Sequence, residues 1–184
     1  MDERVDMSLQ LLADSLPEHA RDLKLNIAAL LGDRIIGDNR KYGLLLACAH
    51  GTGYRPLVEA AEAEAAGRLD PVYADAARAA AATMAMNNVY YRFVHLASNP
   101  VYGSLPVRLR MDAVASPGID KADFELFCLA VSAQNGCGMC IDSHERILTQ
   151  HNVKAETIQS AARIAAVMTA VATVHATLPG PATA

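Results

Sequence analysis

Apolar residues recur along this chain at three- and four-residue intervals, the period that gives a helix one apolar face. No segment alternates apolar and polar residues in twos with β-branched enrichment, so the pattern predicts an all-α fold with no strands. Ser8 to Leu16 reads as a short amphipathic helix, and Pro17 suits the first turn of the next, which runs to about Leu31 and ends at Gly32. Asp33 to Asn39 reads as a loop. Arg40 to His50 is apolar and is broken by Gly51-Thr52-Gly53; with no strand before it, that Gly-x-Gly is not a phosphate loop. Pro56 opens an Ala- and Glu-rich helix to Ala66, capped by Gly67. Asp70-Pro71 supplies an N-cap and first-turn proline for a long helix through about Leu96. Ser98 to Gly118, with three prolines, is the least regular stretch. Gly118-Ile119-Asp120 leads into another helix, Asn135-Gly136 marks a break, and a final long helix runs from Lys154 or Ala155 to Thr177. Residues 1–7 and 179–184 are expected to fray.

Composition narrows the picture. At 184 residues, with 52% hydrophobic residues and no tryptophan, the chain is read as a single helical domain spanning 1–184 whose core relies on Ala, Leu, Val and Met. A formal net charge of -4 argues against a nucleic-acid or anionic-membrane surface. The acidic start, Met-Asp-Glu-Arg-Val-Asp-Met, lacks the apolar core of a signal peptide. The longest apolar run, Ile164 to Val174, is too short to span a bilayer. The expectation is a soluble cytoplasmic protein. In a reducing compartment its four cysteines are not a structural disulfide framework, and a Cys-x-x-Cys pair there is catalytic or metal-binding.

The chemistry concentrates between Phe124 and His144. Cys137 and Cys140 form the Cys-x-x-Cys pair, His144 follows four residues after the second cysteine, and Glu125 lies twelve residues before the first. The Asn135-Gly136 break places the pair at a turn and the start of a new helix, where free N–H groups and the macrodipole favour a thiolate. Cys140 and His144, four apart, would share a face of that helix, with Cβ atoms about 5–6 Å apart. A histidine there can take the thiol proton. Cys137 and Cys140, three apart, share the face too, so a disulfide between them is feasible. Glu125, flanked by Phe124, Leu126 and Phe127, is expected to be at least partly buried; a buried carboxylate needs a partner, and orienting His144 would supply one.

Other reactive residue types read as structural. Cys48 and Cys128 sit in apolar runs and are expected to be buried, inert thiols. His19 is expected to be solvated, His50 and His95 to lie at helix ends or the core rim, and His175 to be a satisfied core histidine. Asn87-Asn88, poor helix formers in a long helix, read as a buried hydrogen-bonding pair that fixes packing in preference to a site near the cysteines. Met84, Met86 and Met111 read as core filler. Leu44 to Gly53 faintly echoes the rhythm of the Leu126 to Gly136 run: apolar helix, glycine break, new helix.

The order Glu125, Cys137-x-x-Cys140, x-x-x-His144 resembles the alkyl hydroperoxidase D (AhpD) family, within the carboxymuconolactone-decarboxylase-like superfamily. Leu16–Asn26, Met84–Arg92 (Met-Ala-Met-Asn-Asn-Val-Tyr-Tyr-Arg) and Arg110–Leu126 resemble it as well, and the likeness covers roughly Leu16 to His175. It departs at Met139, where some members carry a histidine. The resemblance implies an all-α subunit that commonly forms homotrimers and acts as a thiol-dependent hydroperoxide reductase or disulfide oxidoreductase in antioxidant defence. It implies Cys140 as nucleophile, Cys137 as resolving thiol, and Glu125 with His144 as proton relay. No bound cofactor or metal is expected. The electron donor is a dithiol such as a lipoyl group on an acyltransferase, and a peroxiredoxin is a further implied partner. Two other readings stand beside this one. A zinc site could draw on Cys137, Cys140 and His144 with His151 or Glu125 as fourth ligand, although zinc ligands usually come from two separated pairs. The decarboxylase branch of the superfamily does not need the cysteine pair, so the pair argues against it.

Overall fold

The computed structural model describes residues 8–178; the stretches expected to fray, 1–7 and 179–184, lie outside the described residues. Among the described residues there are nine α-helices, two short 3₁₀ turns and no strand. The helices are α1 (Leu9–Asp14), α2 (Arg21–Gly32), α3 (Asp38–Thr52), α4 (Arg55–Ala65), α5 (Pro71–Leu96), α6 (Asp112–Ala115), α7 (Lys121–Gln134), α8 (Gly138–Gln150) and α9 (Ala155–Thr177). The all-α reading is therefore correct.

Several boundaries are written directly in side chains. Ser8 caps α1 by accepting from the Leu11 N–H, Asp70 caps α5 from Val72, and Asp120 caps α7 from Ala122 and Asp123. Other boundaries move. Pro17 caps a 3₁₀ turn, Glu18–Ala20, that precedes α2. α3 begins at Asp38, two residues earlier than the apolar pattern shows, because its first turn is polar and follows Gly37 at φ 75°. The irregular stretch after α5 holds the 3₁₀ turn Pro100–Gly103 and the short α6.

α3 and α7 are buried on all sides, from Lys41 to Ala49 and from Ala122 to Ser132, as helices at the centre of a bundle must be. Each packs against both long helices, α5 and α9, and each turns back into a hairpin partner, α4 or α8. The echo between the two segments thus corresponds to like positions in the fold, each closed by a glycine at positive φ, Gly53 and Gly136. Gly43 of α3 faces Phe127 of α7, and Gly51 faces Val131 and Gln134, so the two helices run in the same direction. Small residues at these crossings let the backbones approach. The Gln134 amide donates to the Cys48 carbonyl (3.2 Å) and to Thr169 Oγ1 (3.0 Å), joining α7 to α3 and α9.

Several buried or half-buried polar groups have partners within the bundle. Lys41 Nζ donates to the Leu31 and Asp33 carbonyls at 3.1 and 3.0 Å, satisfying the end of α2. Asp123 accepts from Arg40 Nε (2.5 Å) and the Tyr73 hydroxyl (3.0 Å). His175 makes a hydrogen bond to the Leu12 carbonyl at 3.0 Å, as expected of a satisfied core histidine, and His50 at the end of α3 pairs with Glu62 at 2.9 Å. α9 is longer than the Ile164–Val174 run and is long and apolar enough to cross a membrane by length and composition. Its buried residues, including Ile164, Ala165, Met168 and Val171, belong to the same core as α3 and α7.

The Gly43 crossing yields a stability test. A Cβ at Gly43 would collide with the Phe127 ring, whereas one at Gly32 would meet nothing within 4 Å. Gly43→Ala is expected to destabilise by about 1–3 kcal/mol through overpacking. Gly32→Ala should be neutral or slightly stabilising. Urea unfolding of the two variants beside the parent protein measures the difference.

Candidate active site

The turn between α7 and α8 seats the cysteine pair. α7 ends at Gln134, Asn135 is its C-cap, and Gly136 adopts φ 64°, the left-handed conformation that glycine tolerates best. The Gly136 N–H donates to the Ala133 carbonyl (3.2 Å) and the Cys137 N–H to the Ser132 carbonyl (3.1 Å), the paired bonds of a Schellman ending. Cys137 is at the same time the N-cap of α8, its carbonyl accepting from the Ile141 N–H at 2.9 Å. One residue therefore closes one helix and opens the next, as the Asn135-Gly136 break predicted. Cys140 lies in the first turn of α8.

Cys137 and Cys140 are joined as a disulfide, with Cα atoms 5.3 Å apart, inside the range such bonds occupy. Both are buried. Cys140 lines a cavity of about 280 Å³, and Cys137 is not among its lining residues. His144, one turn beyond Cys140 on α8, lines the same cavity together with Glu125. The walls are otherwise mostly apolar, with Met84 and Tyr91 from α5, Met111 and Val114 from the α6 segment, and Met139 and Ile147 from α8.

Glu125 holds the histidine. The carboxylate is fully buried, and His144 Nδ1 lies 2.5 Å from its Oε2. A carboxylate only accepts, so Nδ1 carries the hydrogen and Nε2 has the free lone pair when the ring is neutral. Nε2 faces Met84 Sδ at 3.3 Å. The thioether has no proton to give and is a weak acceptor, so it leaves that lone pair available and offers a modest partner for the Nε2–H of the protonated ring. On the other side, Lys121, one turn before Glu125 on α7, brings its ammonium 2.7 Å from Oε1 as an ion pair out of line for a hydrogen bond. Lys121 also donates to the Val114 carbonyl at 2.6 Å. Burial pushes the Glu125 carboxyl up, but His144 and Lys121 together outweigh it and hold the group below the ordinary carboxylate range.

The four residues picked out by spacing, Glu125, Cys137, Cys140 and His144, are thus brought together. Spacing did not reveal Lys121, although a lysine four residues before a carboxylate on one helix is a readable signal. Met84 was read as core filler; it is buried, but its sulfur meets His144, and the Asn88 amide (3.8 Å) and Ser132 hydroxyl (3.5 Å) also approach it. Met111 lines the cavity, and Met86 is 36% exposed, so neither is simple core filler. The asparagine pair divides. Asn88 donates to Ser132 Oγ at 2.9 Å and accepts from Asn135 at 2.9 Å, fixing α5 to the end of α7. Asn87 faces the cavity instead.

The remaining thiols, Cys48 and Cys128, are free and buried, and desolvation pushes both thiols up, with Glu125 adding to the effect at Cys128. Of the zinc ligands considered above, the two sulfurs are bonded to each other, Glu125 and His144 are paired, and His151 is exposed at the far end of α8. Among the described residues no group of three or more His, Cys, Asp or Glu side chains is placed to hold a metal ion.

Comparison with known proteins accords with this geometry. Residues 100–179 match the model of the carboxymuconolactone decarboxylase family. A protein of Rhizorhabdus wittichii named alkyl hydroperoxide reductase AhpD is 67% identical over 171 residues, covering 93% of this chain and 99% of that protein. Proteins of the same name from Rhodopseudomonas palustris and Beijerinckia indica are 55% and 53% identical over 166 and 175 residues, covering 90% and 94% of this chain and 92% and 97% of their own lengths. Identity at this level across nearly the whole length places the chain in the AhpD family.

Proposed function

We propose that this protein is a thiol-dependent alkyl hydroperoxide reductase serving antioxidant defence, with electrons passing through the Cys137–Cys140 couple. The observation that carries the reading is the placement of Cys140 and His144 on one cavity, with Cys137 bonded to Cys140 from behind it. The relatives' shared name supports the same reaction class.

In the reduced protein, His144 Nε2 takes the Cys140 thiol proton, directly or through a water, while Glu125 holds the ring and balances the imidazolium. The Cys140 thiolate attacks the terminal oxygen of the hydroperoxide. The O–O bond breaks, the alkoxide leaves with a proton from His144 as the alcohol, and Cys140 becomes a sulfenic acid. The Cys137 thiolate then attacks that sulfur, expelling water on protonation and forming the disulfide. A dithiol donor restores the couple by exchange. Its thiolate must attack Cys140, the sulfur on the cavity, and Cys137 departs as the leaving thiolate at the N-cap of α8. The apolar walls suit the aliphatic arm of a lipoyl group carried on an acyltransferase, and a peroxiredoxin is a further partner of the same couple. No bound cofactor is needed.

The same reading places the protein in the cytoplasm, where dithiols are maintained, as a homotrimer. Val89, Phe93 and Leu96 of α5 and Val101, Tyr102 and Leu105 beyond it leave a run of large apolar side chains exposed, which supports self-association.

Three outcomes test this. Cys137→Ser and Cys140→Ser should each abolish dithiol-dependent peroxide turnover, while Cys48→Ala and Cys128→Ala retain it; full turnover by either motif variant would end the two-cysteine mechanism. Thiol alkylation of the reduced protein against pH, read by mass spectrometry, should label Cys140 first. His144→Gln or Glu125→Gln should slow that labelling by about 10²-fold near neutral pH. Labelling of Cys137 first, unchanged in the His144 variant, would return the nucleophile role to Cys137.

The third test concerns acid stability. Because the folded Glu125 carboxyl lies below its unfolded value of about 4.3, it contributes stability that is present above that pH and lost as pH falls through the folded value. Lys121→Met removes one of the two groups holding the carboxyl down, so less of this stability remains and acid unfolding should begin at higher pH. Lys121→Arg should restore the parent profile, as followed by circular dichroism across the acid range.

A further inference from the structure

Asn87 is 5% exposed in the middle of α5, and its Oδ1 is buried without a hydrogen-bond partner. A buried carboxamide oxygen left in that state is destabilising, because it has given up water without gaining a protein donor. Its neighbour Asn88 shows what a packing asparagine looks like, bonded to Ser132 and Asn135. Asn87 does not join that network. It occurs on the same face of α5 as Met84 and Tyr91, three and four residues away, and all three line the cavity that Cys140, His144 and Glu125 share.

The other neutral hydrogen-bonding side chains on the cavity are the hydroxyls of Tyr91 and Ser143, and Asn87 is the lining side chain that holds a buried polar atom without a partner apart from the ion-paired Glu125. His144 and Glu125 are engaged with each other, and the α6 segment contributes Met111 and Val114. A hydroperoxide entering an apolar chamber still needs its two oxygens oriented, with the terminal oxygen toward the Cys140 sulfur. It also needs a donor near the other oxygen, which takes up negative charge as the O–O bond breaks. A carboxamide without a protein partner can turn its Nδ2 or its Oδ1 toward the chamber with no protein hydrogen bond lost.

We propose that Asn87 is a substrate-binding catalytic residue that holds the hydroperoxide in this cavity. Its Nδ2–H donates to the oxygen attached to carbon while the Cys140 thiolate attacks the terminal one. The bond that forms is Cys140 sulfur to oxygen, the bond that breaks is O–O, and the departing alkoxide keeps the Asn87 hydrogen bond until His144 delivers its proton. The ligand class is an alkyl hydroperoxide, its carbon chain against Met84, Met111, Val114 and Ile147. This assignment rests on the peroxidase reading and deepens it.

The test separates two reactions of the same sulfur. Reduced full-length protein is reacted in single turnover with cumene hydroperoxide and, in parallel, with iodoacetamide, and Cys140 modification is followed by quenched mass spectrometry. Asn87→Leu should slow oxidation by the hydroperoxide about ten- to a hundredfold relative to its alkylation, because only the peroxide reaction uses the donor. Thermal unfolding supplies the structural control: Asn87→Leu removes an unpartnered polar group and should not lower Tm, whereas Asn88→Leu breaks two hydrogen bonds and should. Equal slowing of both reactions, or peroxide oxidation at the parent rate, would overturn the role of Asn87 alone. A parent protein whose Cys140 is not oxidised by hydroperoxide would overturn the peroxidase reading and this assignment with it.

Discussion

The site depends on a single buried charge. Glu125 is fully buried in the central helix, and an isolated carboxylate there would be costly by several kcal/mol. It is tolerated because His144 reaches it from α8 and Lys121 from its own helix, one to each oxygen. These contacts do more than neutralise the charge. The one to His144 fixes which ring nitrogen carries hydrogen, leaving the Nε2 lone pair free of the carboxylate. The one to Lys121 extends through the Val114 carbonyl to the short α6 segment, which forms a cavity wall. Charge balance, ring orientation and cavity shape are therefore one connected arrangement. Removing one partner would strand a buried charge, whereas losing a surface ion pair such as Arg55–Glu59 would change little.

What the sequence makes legible follows from which interactions are local. Helix starts at Ser8, Asp70 and Asp120 are visible because a cap is a side chain bonding two or three residues ahead. The seat of Cys137 is visible because a glycine-terminated helix is also local, needing only Asn135-Gly136 and the preceding turn. The Cys140–His144 face is visible because helical period alone places residues four apart together. Lys121 is as local as these but is not legible as a partner, since a lysine at the start of a helix looks like an ordinary solvated residue.

Long-range partners are a different matter. Met84 stands 60 residues from His144, and no spacing rule links them; only the packing of α5 against α8 does. The asparagine pair makes the limit sharper. Asn87 and Asn88 are identical in type and adjacent in sequence, yet a helix turns about 100° per residue, so they face different surroundings. One meets Ser132 and Asn135, the other an open cavity. Sequence offers both a packing role and a site near the cysteines for the pair, and packing divides the two between Asn88 and Asn87.

The two cysteines are similarly unlike, and the difference resolves a competition between effects. A helix N-terminus favours a thiolate at Cys137, its N-cap, by about 0.3–1 kcal/mol where exposed. A positioned base favours reaction at Cys140, with assistance of about 10²–10⁴-fold. If one sulfur had to serve as both attacking and leaving group, these would conflict, since a thiol of low pKa leaves well but attacks less strongly. The turn separates the two demands. In the proposed mechanism Cys140, which lines the cavity with His144, is the sulfur that meets substrate and donor. In the same mechanism Cys137, at the helix terminus, is the sulfur displaced when the disulfide opens, where the α8 N–H groups favour its charge. The three-residue spacing that permits the disulfide also keeps the base with one sulfur and the dipole with the other. A histidine at position 139 would lie between those assignments; Met139 adds neither charge nor proton there and leaves the division to Glu125, His144 and the end of the helix.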